Sequence, residues 1–405
     1  TKKEPFFTKA TKFFTLPIGM SLVFIILQKP QKAMTFAFLF MISDFNLNRY
    51  IDYNTITKLI LLIILLFAVY QTRSFIYVKK RQLILFIFIF IAVLSYFENR
   101  SAQYSISDFI LSLLTILLGV LAMHVVWDDV IKVKLLKVIS WSSILCVFCG
   151  ILKHGLLFTE SGRIVSGTAL YHSPAWMGIA GMFATMLLVE GCNCPQYNKF
   201  VIINFLLVCL TQMRGGTIYA IILITPFFLS QLKHMSHFKV AVFSILIPVV
   251  LFIGSEMLSV FMARTFVDGT INTSGRFEAW TYFIDLAKGD LLLGHGVGSI
   301  KTMTGTEIYK RGFTAAHNEY IRLLVETGVT GLVCFTMYMA TSFKYIYINS
   351  MLQQKKSYLI AFILGFVVLS CLDNTISGHI SWVPFCLLLS LSTQIESVSD
   401  NKGVM

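Results

Sequence analysis

The sequence is poor in charge. Asp, Glu, Lys and Arg make up 13% of its 405 residues, against 56% hydrophobic residues, and the mean hydropathy is +0.76. An ordinary soluble domain is about a quarter charged, so a soluble globular protein is excluded. Also missing is any polar stretch of domain size. Apolar runs recur from near the N-terminus to residue 394, so residues 1–405 read as a single integral membrane domain rather than the two or three soluble domains that the length alone would suggest. There is no tandem repeat and no low-complexity segment. Eight cysteines, at 146, 149, 192, 194, 209, 334, 371 and 386, form no repeated CxxC framework. The CxxC of Cys146 and Cys149 lies inside the apolar SILCVFCGIL, and Cys192 and Cys194 have no nearby His pair. Reduced, buried thiols are expected, with no metal site.

Charge of one sign is in excess, 33 Lys and Arg against 20 Asp and Glu, a net +13. In a soluble protein that surplus would raise nucleic-acid binding. Here much of it sits in short loops between apolar runs, which is the positive-inside pattern, and nucleic acid is not an expected partner. The N-terminal TKKEPFFTKATK leads into an apolar run without a small-residue cleavage site, so a retained first span is expected rather than a removed signal.

Apolar segments able to cross or nearly cross a bilayer lie at about 57–70, 82–96, 107–127, 135–158, 174–190, 199–213, 216–230, 239–261, 317–341, 357–373 and 380–394. The region 14–42, interrupted by QKPQK at 28–32, reads as one broken span or two short ones; counted as one unit it gives about twelve transmembrane helices in an all-α polytopic fold. Loops 71–81, 128–137, 231–239 and 343–356 carry Lys or Arg and are placed in the cytoplasm; loops 44–56, 97–106, 159–173, 214–215, 262–316 and 374–379 then face outward. The segment 262–316 is the one long polar stretch. Within it TSGRFEAWTYFIDLAKGD predicts a helix with Phe277, Trp280, Phe283 or Ile284, and Ala287 on one face, ending at Gly289, which should lie on the bilayer surface or cover a cavity.

This topology collects noteworthy polar residues on one side: Arg163 in ESGRIVSG, Arg214 in LTQMRGGTIY, Arg276 in TSGRFEAW and His317 in AAHNEYIRLL. Arg214 interrupts a hydrophobic stretch from 200 to 230, where a cation needs a partner, a watery cavity or the interface; a snorkelling residue at a hairpin tip is the plain alternative. Arg163 and Arg276 read singly as solvated loop charges, and His317 singly as a capping residue. Together they suit a diphosphate, which the guanidinium fork grips with paired charge-assisted bonds, and a hydroxyl that gives its proton to a histidine near neutral pH. Lys310 and Arg311 can attract a diphosphate or stand as a solvated pair. Tyr320 and Glu319 lie on different faces of a helix, so one of them can share the histidine's surroundings. Asn318 can cap that helix. Asp373 and Asn374 end the penultimate span on the same side. GHGVG at 294–298 lacks the spacing and preceding strand of a dinucleotide fingerprint and reads as a turn or tight packing.

The set TQMRGG (211–216), SGRFEAW with LLLGHGVGS (274–280, 291–299) and AHNEYIRLLVETGVTGL (316–332) resembles the O-antigen ligase/polymerase superfamily of integral membrane glycosyltransferases, over roughly residues 160–332. Met213 departs from the small hydroxyl residue that many relatives carry before the arginine. The resemblance implies a GT-C-like fold with one long, partly helical periplasmic loop, in the bacterial inner membrane. It implies glycan transfer from undecaprenyl diphosphate at the periplasmic face, without a nucleotide sugar, metal or other cofactor. Arg214 and Arg276 would hold the diphosphate, with Arg163, Arg311 and Tyr320 as further substrate-binding candidates, and His317 would activate or orient the acceptor hydroxyl. The expected partners are the lipid-linked donor, a lipid-linked acceptor glycan, membrane lipid and a chain-length regulator. A polymerase is preferred to a ligase acting on lipid A-core. A lipid-linked sugar flippase, the alternative of another class, fits less well because the ionisable cluster lies at one membrane face rather than at the midplane.

Overall fold

A computed structural model of the chain describes residues 29–43, 53–72, 79–100, 104–155, 157–158, 163–164, 172–232, 266–267, 270–271, 275–303 and 315–393. The span expected at 239–261, most of 14–29, and Lys310 with Arg311 lie outside the described residues. The regular structure of the described residues is helical apart from one antiparallel pair of two-residue strands, β1 (Phe266–Val267) and β2 (Thr270–Ile271), and two isolated bridges.

The helices are α1 (Pro30–Ser43), α2 (Tyr53–Thr72), α3 (Lys79–Asn99), α4 (Ile106–His124), α5 (Asp129–Ser140), α6 (Ser142–His154), α7 (His172–Met186), α8 (Lys199–Leu210), α9 (Arg214–Leu232), α10 (Arg276–Ala287), α11 (Glu319–Ile348), α12 (Lys356–Ser370) and α13 (His379–Leu391). Several ends are written locally. Pro30 opens α1, where its missing N–H costs nothing, so the QKPQK interruption is a helix start. Ser105 and Asp128 cap α4 and α5 by accepting the backbone N–H groups of Asp108, and of Val130 and Ile131.

Among the described residues four helical stretches are long and apolar enough to cross a membrane: 81–99, 106–124, 173–191 and 319–348. The pair α5 and α6, bent by 49°, adds a fifth if counted as one broken span. Asn204 of α8 mends that break: its Nδ2 donates to the Ser140 carbonyl (3.0 Å) and its Oδ1 accepts from Ser143 Oγ (2.5 Å), so a backbone group freed by the bend stays paired inside an apolar bundle. Shorter apolar helices cover 57–72, 195–210, 214–230, 356–370 and 379–391. Leu83, Phe86, Ile87, Phe90, Leu94 and Phe97 stand exposed along α3, an apolar face of the kind that lipid covers.

At the centre is α13, buried on every side from Trp382 to Leu391 and packed against α4 and α7. Trp382 donates its indole N–H to the Ile116 carbonyl (3.0 Å), and Phe385 stacks on Phe366 of α12 at 3.7 Å between ring centres. Chain reversals separate to two ends. One gathers Gln31 with Val126 and Asp128, Lys132 with Thr393, and Lys355 with Glu190. The other gathers Asn99 and Tyr104 with the loop 294–298, Arg276 with Leu372, and His317 with Asp373.

At this second end α11 is broken. Gly328 has φ 63° and ψ −173° inside the helix, and the loop 291–298 inserts there. The amides of His295 and Gly296 donate to the carbonyls of Val325 (2.8 Å) and Glu326 (2.9 Å), and Val329 N–H donates to Leu291 (2.8 Å). GHGVG is thus a tight packing device: Gly294, Gly296 and Gly298 all have positive φ. Gly328→Ala is expected to lower the unfolding temperature of the detergent-solubilised protein far more than Gly155→Ala. Both glycines have positive φ, which costs a side chain about 1–2 kcal/mol, but a Cβ at 155 meets nothing within 4 Å while one at 328 would stand 2.1 Å from the Leu292 carbonyl oxygen. Equal shifts in tryptophan-monitored melting would mean that the loop does not press on the break.

Candidate functional site

Three helix starts and one helix end form the site. Arg214 is the first residue of α9 and Arg276 the first of α10. His317 stands just before α11, whose cap is Asn318: its Oδ1 accepts from Tyr320 N (3.0 Å) and Ile321 N (3.1 Å), the capping role expected from the sequence. The fourth part is the exit of α12. Two of these turns use left-handed residues other than glycine, Gln212 (φ 53°) and His317 (φ 47°), a conformation that costs of order 1–3 kcal/mol and gathers at functional sites.

The exit of α12 joins the pieces. Arg276 Nη1 donates to the Leu372 carbonyl at 2.5 Å. His317 Nδ1 lies 3.4 Å from Asp373 Oδ1 and 3.4 Å from Asn374 Nδ2, long contacts between half-buried groups. Gly215, next to Arg214, faces Leu369 so closely that a Cβ would stand 2.4 Å from its Cδ1; glycine there lets the start of α9 reach α12 one turn before Leu372. Tyr320 donates its hydroxyl to the Val367 carbonyl at 3.3 Å. Arg214, Arg276, His317 and Tyr320 are therefore all brought to the last turns of α12. Arg163 is half-buried and sits beside a single bridge, Phe158 to Ile164, with no described contact to these four. Arg311 lies outside the described residues. Of the two neighbours weighed for the histidine's surroundings, Tyr320 turns to α12 and Glu319 turns inward.

Beneath this surface lies a ladder of charge. Arg322, 4% exposed, pairs through Nε with Glu319 Oε2 at 2.5 Å and through Nη1 with Glu326 Oε2. Glu319 Oε1 accepts three more hydrogen bonds, from Ile376 N (2.9 Å), Ser377 N (2.9 Å) and Ser377 Oγ (2.8 Å). The signal was present as opposite charges at i, i+3 and i+7 on one helix face. Removing one member of so buried a set costs about 3–5 kcal/mol.

Over the first turns of α11 lies α10, on a face that shares Phe283 and Ala287 with the one expected from the sequence. Its buried side is Ala279, Phe283 and Ala287, packed with Ile300, Ala316 and Val325, whereas Phe277 and Ile284 are exposed. The i, i+4 spacing of 279, 283 and 287 matches the helical repeat; Phe277 is displaced because Arg276 must point at α12. Trp280 is tied by its indole N–H to the Ala316 carbonyl (2.9 Å), immediately before His317.

Electrostatics around the site are set by burial. Tyr104, whose hydroxyl donates to the Val297 carbonyl at 2.6 Å, has its pKa raised, first by burial and then by the Glu326 charge and by Tyr96 and Asp108. All eight cysteines are free, but only Cys146 and Cys386 are fully buried, fewer than the sequence suggested, since several face outward from their helices. No three His, Cys, Asp or Glu side chains among the described residues form a metal-holding group.

The fold and the site define a multi-pass helical membrane protein with an arginine and histidine cluster at one end of the bundle. Residues 200–336, about a third of the chain, match the family model described as O-antigen ligase, which supports the O-antigen ligase/polymerase superfamily as its family. Proteins of that family are glycosyltransferase-like enzymes. The match includes Arg214, Arg276 and His317 but stops short of Asp373. No curated protein matches the chain.

In sealed vesicles of one orientation, a membrane-impermeant maleimide is expected to label the exposed Cys371 from the face that also reaches cysteines placed at 276 and 317, while Cys192 labels from the opposite face. Labelling of Cys371 and of position 317 from opposite faces would break up the proposed site.

Proposed function

We propose that the chain is a membrane glycosyltransferase of the polymerase type. It moves a glycan from undecaprenyl diphosphate to the nonreducing sugar of a lipid-linked repeat unit, at the periplasmic face of the bacterial inner membrane. The observation that carries the proposal is the meeting of Arg276, His317 and the start of α9 at the exit of α12, within a chain whose residues 200–336 match the O-antigen ligase family model. The same proposal includes about twelve spans in a GT-C-like arrangement over 1–405, with 262–316 as the long periplasmic loop. Lipid-linked donor and acceptor, membrane lipid and a chain-length regulator are its partners.

The chemistry follows from the groups present. Arg214 and Arg276 grip the diphosphate as forks that stay protonated, with Arg163 and Arg311 as further holders and Tyr320 lining the glycan path. Arg214 and Arg276 each head a helix, and α10 has no side-chain cap at its N-cap Gly275, so backbone N–H groups at a positive helix end face the same anion. The acceptor hydroxyl oxygen attacks the anomeric carbon from the face opposite the diphosphate. The new C–O bond forms as the sugar–phosphate bond breaks, inverting that carbon, and the charge developing on the departing diphosphate meets the arginines. The hydroxyl proton passes to His317. With its Nδ1 proton turned to Asp373, the ring presents the Nε2 lone pair, and the carboxylate stabilises the imidazolium that forms. No metal ion enters this scheme.

A second reading, the ligase that transfers the finished glycan to lipid A-core, has one observation in its favour: the matched family is described as O-antigen ligase. The flippase draws no support from that match. Reconstitution with a lipid-linked repeat unit, with and without lipid A-core, separates the enzymes. Ladder formation without the core identifies the polymerase, and single transfer only with the core identifies the ligase. Arg214→Ala, Arg276→Ala and His317→Ala are expected to slow transfer by about 10²–10³-fold each, the usual cost of a lost charge-stabilising or proton-accepting group, at wild-type abundance in the membrane. Arg214→Lys should also be impaired, because the charge stays and the fork is lost. Normal glycan ladders in all three alanine variants would sink the site.

A further inference from the structure

We propose that Glu319 is a positioning residue for His317: its buried carboxylate ties the 373–378 loop to the start of α11 and so sets the contact between His317 and Asp373. The catalytic consequence rests on the glycosyl-transfer proposal above; the mechanical link does not.

The geometry is that of two short segments clasped at two points. On one side run His317, Asn318 and Glu319; on the other runs the loop from Asp373 to Ser377. The outer clasp is loose, His317 Nδ1 to Asp373 Oδ1 and Asn374 Nδ2 at 3.4 Å each. The inner clasp is tight, with three donors from Ile376 and Ser377 converging on Glu319 Oε1 at 2.8–2.9 Å. Glu319 is fully buried, so water cannot replace those donors cheaply.

Its second oxygen is fixed from behind by Arg322, which Glu326 holds in turn. Glu326 occupies the turn into which the loop 291–298 inserts: its carbonyl accepts from Gly296 N–H. The carboxylate that anchors the loop is thus braced against the break in α11. Stability alone does not explain such a ladder, because an apolar replacement of similar volume is often as stable or more so. A fixed geometry does.

Glu319→Ala leaves Arg322 paired with Glu326, and the loop keeps its own bonds from Ser370 Oγ to Thr375 Oγ1 (2.6 Å) and from Ser381 Oγ to the Thr375 carbonyl (2.6 Å), so the variant retains a path to folding. Ser377→Ala removes one of the three donors with the ladder intact and serves as the milder variant.

The test joins hydrogen exchange with kinetics on the full-length, detergent-solubilised or reconstituted protein. Amide exchange at 376 and 377 is expected to quicken about tenfold or more in Glu319→Ala, the scale of a lost bond to a buried carboxylate. The milder variant should move in the same direction. Unchanged exchange overturns the proposal whatever the reaction. With an undecaprenyl-diphosphate-linked repeat unit as substrate, kcat is expected to fall about 100-fold, as for a misplaced reacting group, while KM stays within about twofold because the diphosphate arginines are untouched. In an Asp373→Asn background Glu319→Ala should cost little more. A raised KM at constant kcat, or an equal loss on both backgrounds, also overturns it. Absence of transfer by the unaltered protein to either acceptor would refute the functional proposal and leave exchange to decide the clasp.

Discussion

A cation without access to water governs the site end of this molecule. Arg322 is 4% exposed between Glu319 and Glu326, and every nearby segment is arranged by the need to keep that set satisfied. Two carboxylates against one guanidinium leave an excess negative charge, and the backbone N–H groups of Ile376 and Ser377 offset it on Glu319. Those donors belong to the loop that follows α12. Satisfying a buried charge and bringing distant stretches of chain to the start of α11 are therefore one event.

The break at Gly328 belongs to the same arrangement. An unbroken helix would bond the carbonyls of Val325 and Glu326 within itself; here they accept from His295 and Gly296, which frees the helix to turn and seats the loop under Tyr104 and Ser95. On that platform α10 lies through Phe283 and its neighbours, a side chain whose burial contributes roughly 1.5–3 kcal/mol. Arg276 then meets Leu372, and Trp280 fixes the backbone before His317. A polar, strained surface for an anion is built on a buried ion-pair set whose carboxylates are held by Arg322 and by the donors of Ile376 and Ser377.

Much of this was legible in the sequence because it is local. Hydropathy marked the helices: runs at 57–70, 82–96 and 357–373 became 53–72, 79–99 and 356–370. Asn318 capped its helix, and GHGVG proved a packing turn. Long-range effects were harder to read. The run 135–158 is two helices bent at Trp141, a break made possible by Asn204 more than sixty residues away. The face of α10 was legible in part: Phe283 and Ala287 turn inward as expected and Trp280 is half-buried, while Phe277 is exposed and Ala279 takes its place, because the side that turns inward depends on what α11 offers it. Glu319 and Arg322 were visible as a charged pair on a helix, which is usually a solvated face; nothing local says that this one is dry.

By itself, then, the sequence determined that the chain is a helical membrane protein, where its helices run, and which arginines and which histidine stand at their ends, since hydrophobicity and capping are properties of neighbouring residues. Only the tertiary structure decided that α12 is the element on which Arg276, His317 and the start of α9 meet, that Asp373 faces the histidine, and that a buried carboxylate joins the two sides. Those facts depend on which groups can satisfy a desolvated charge, and the partners come from opposite parts of the chain.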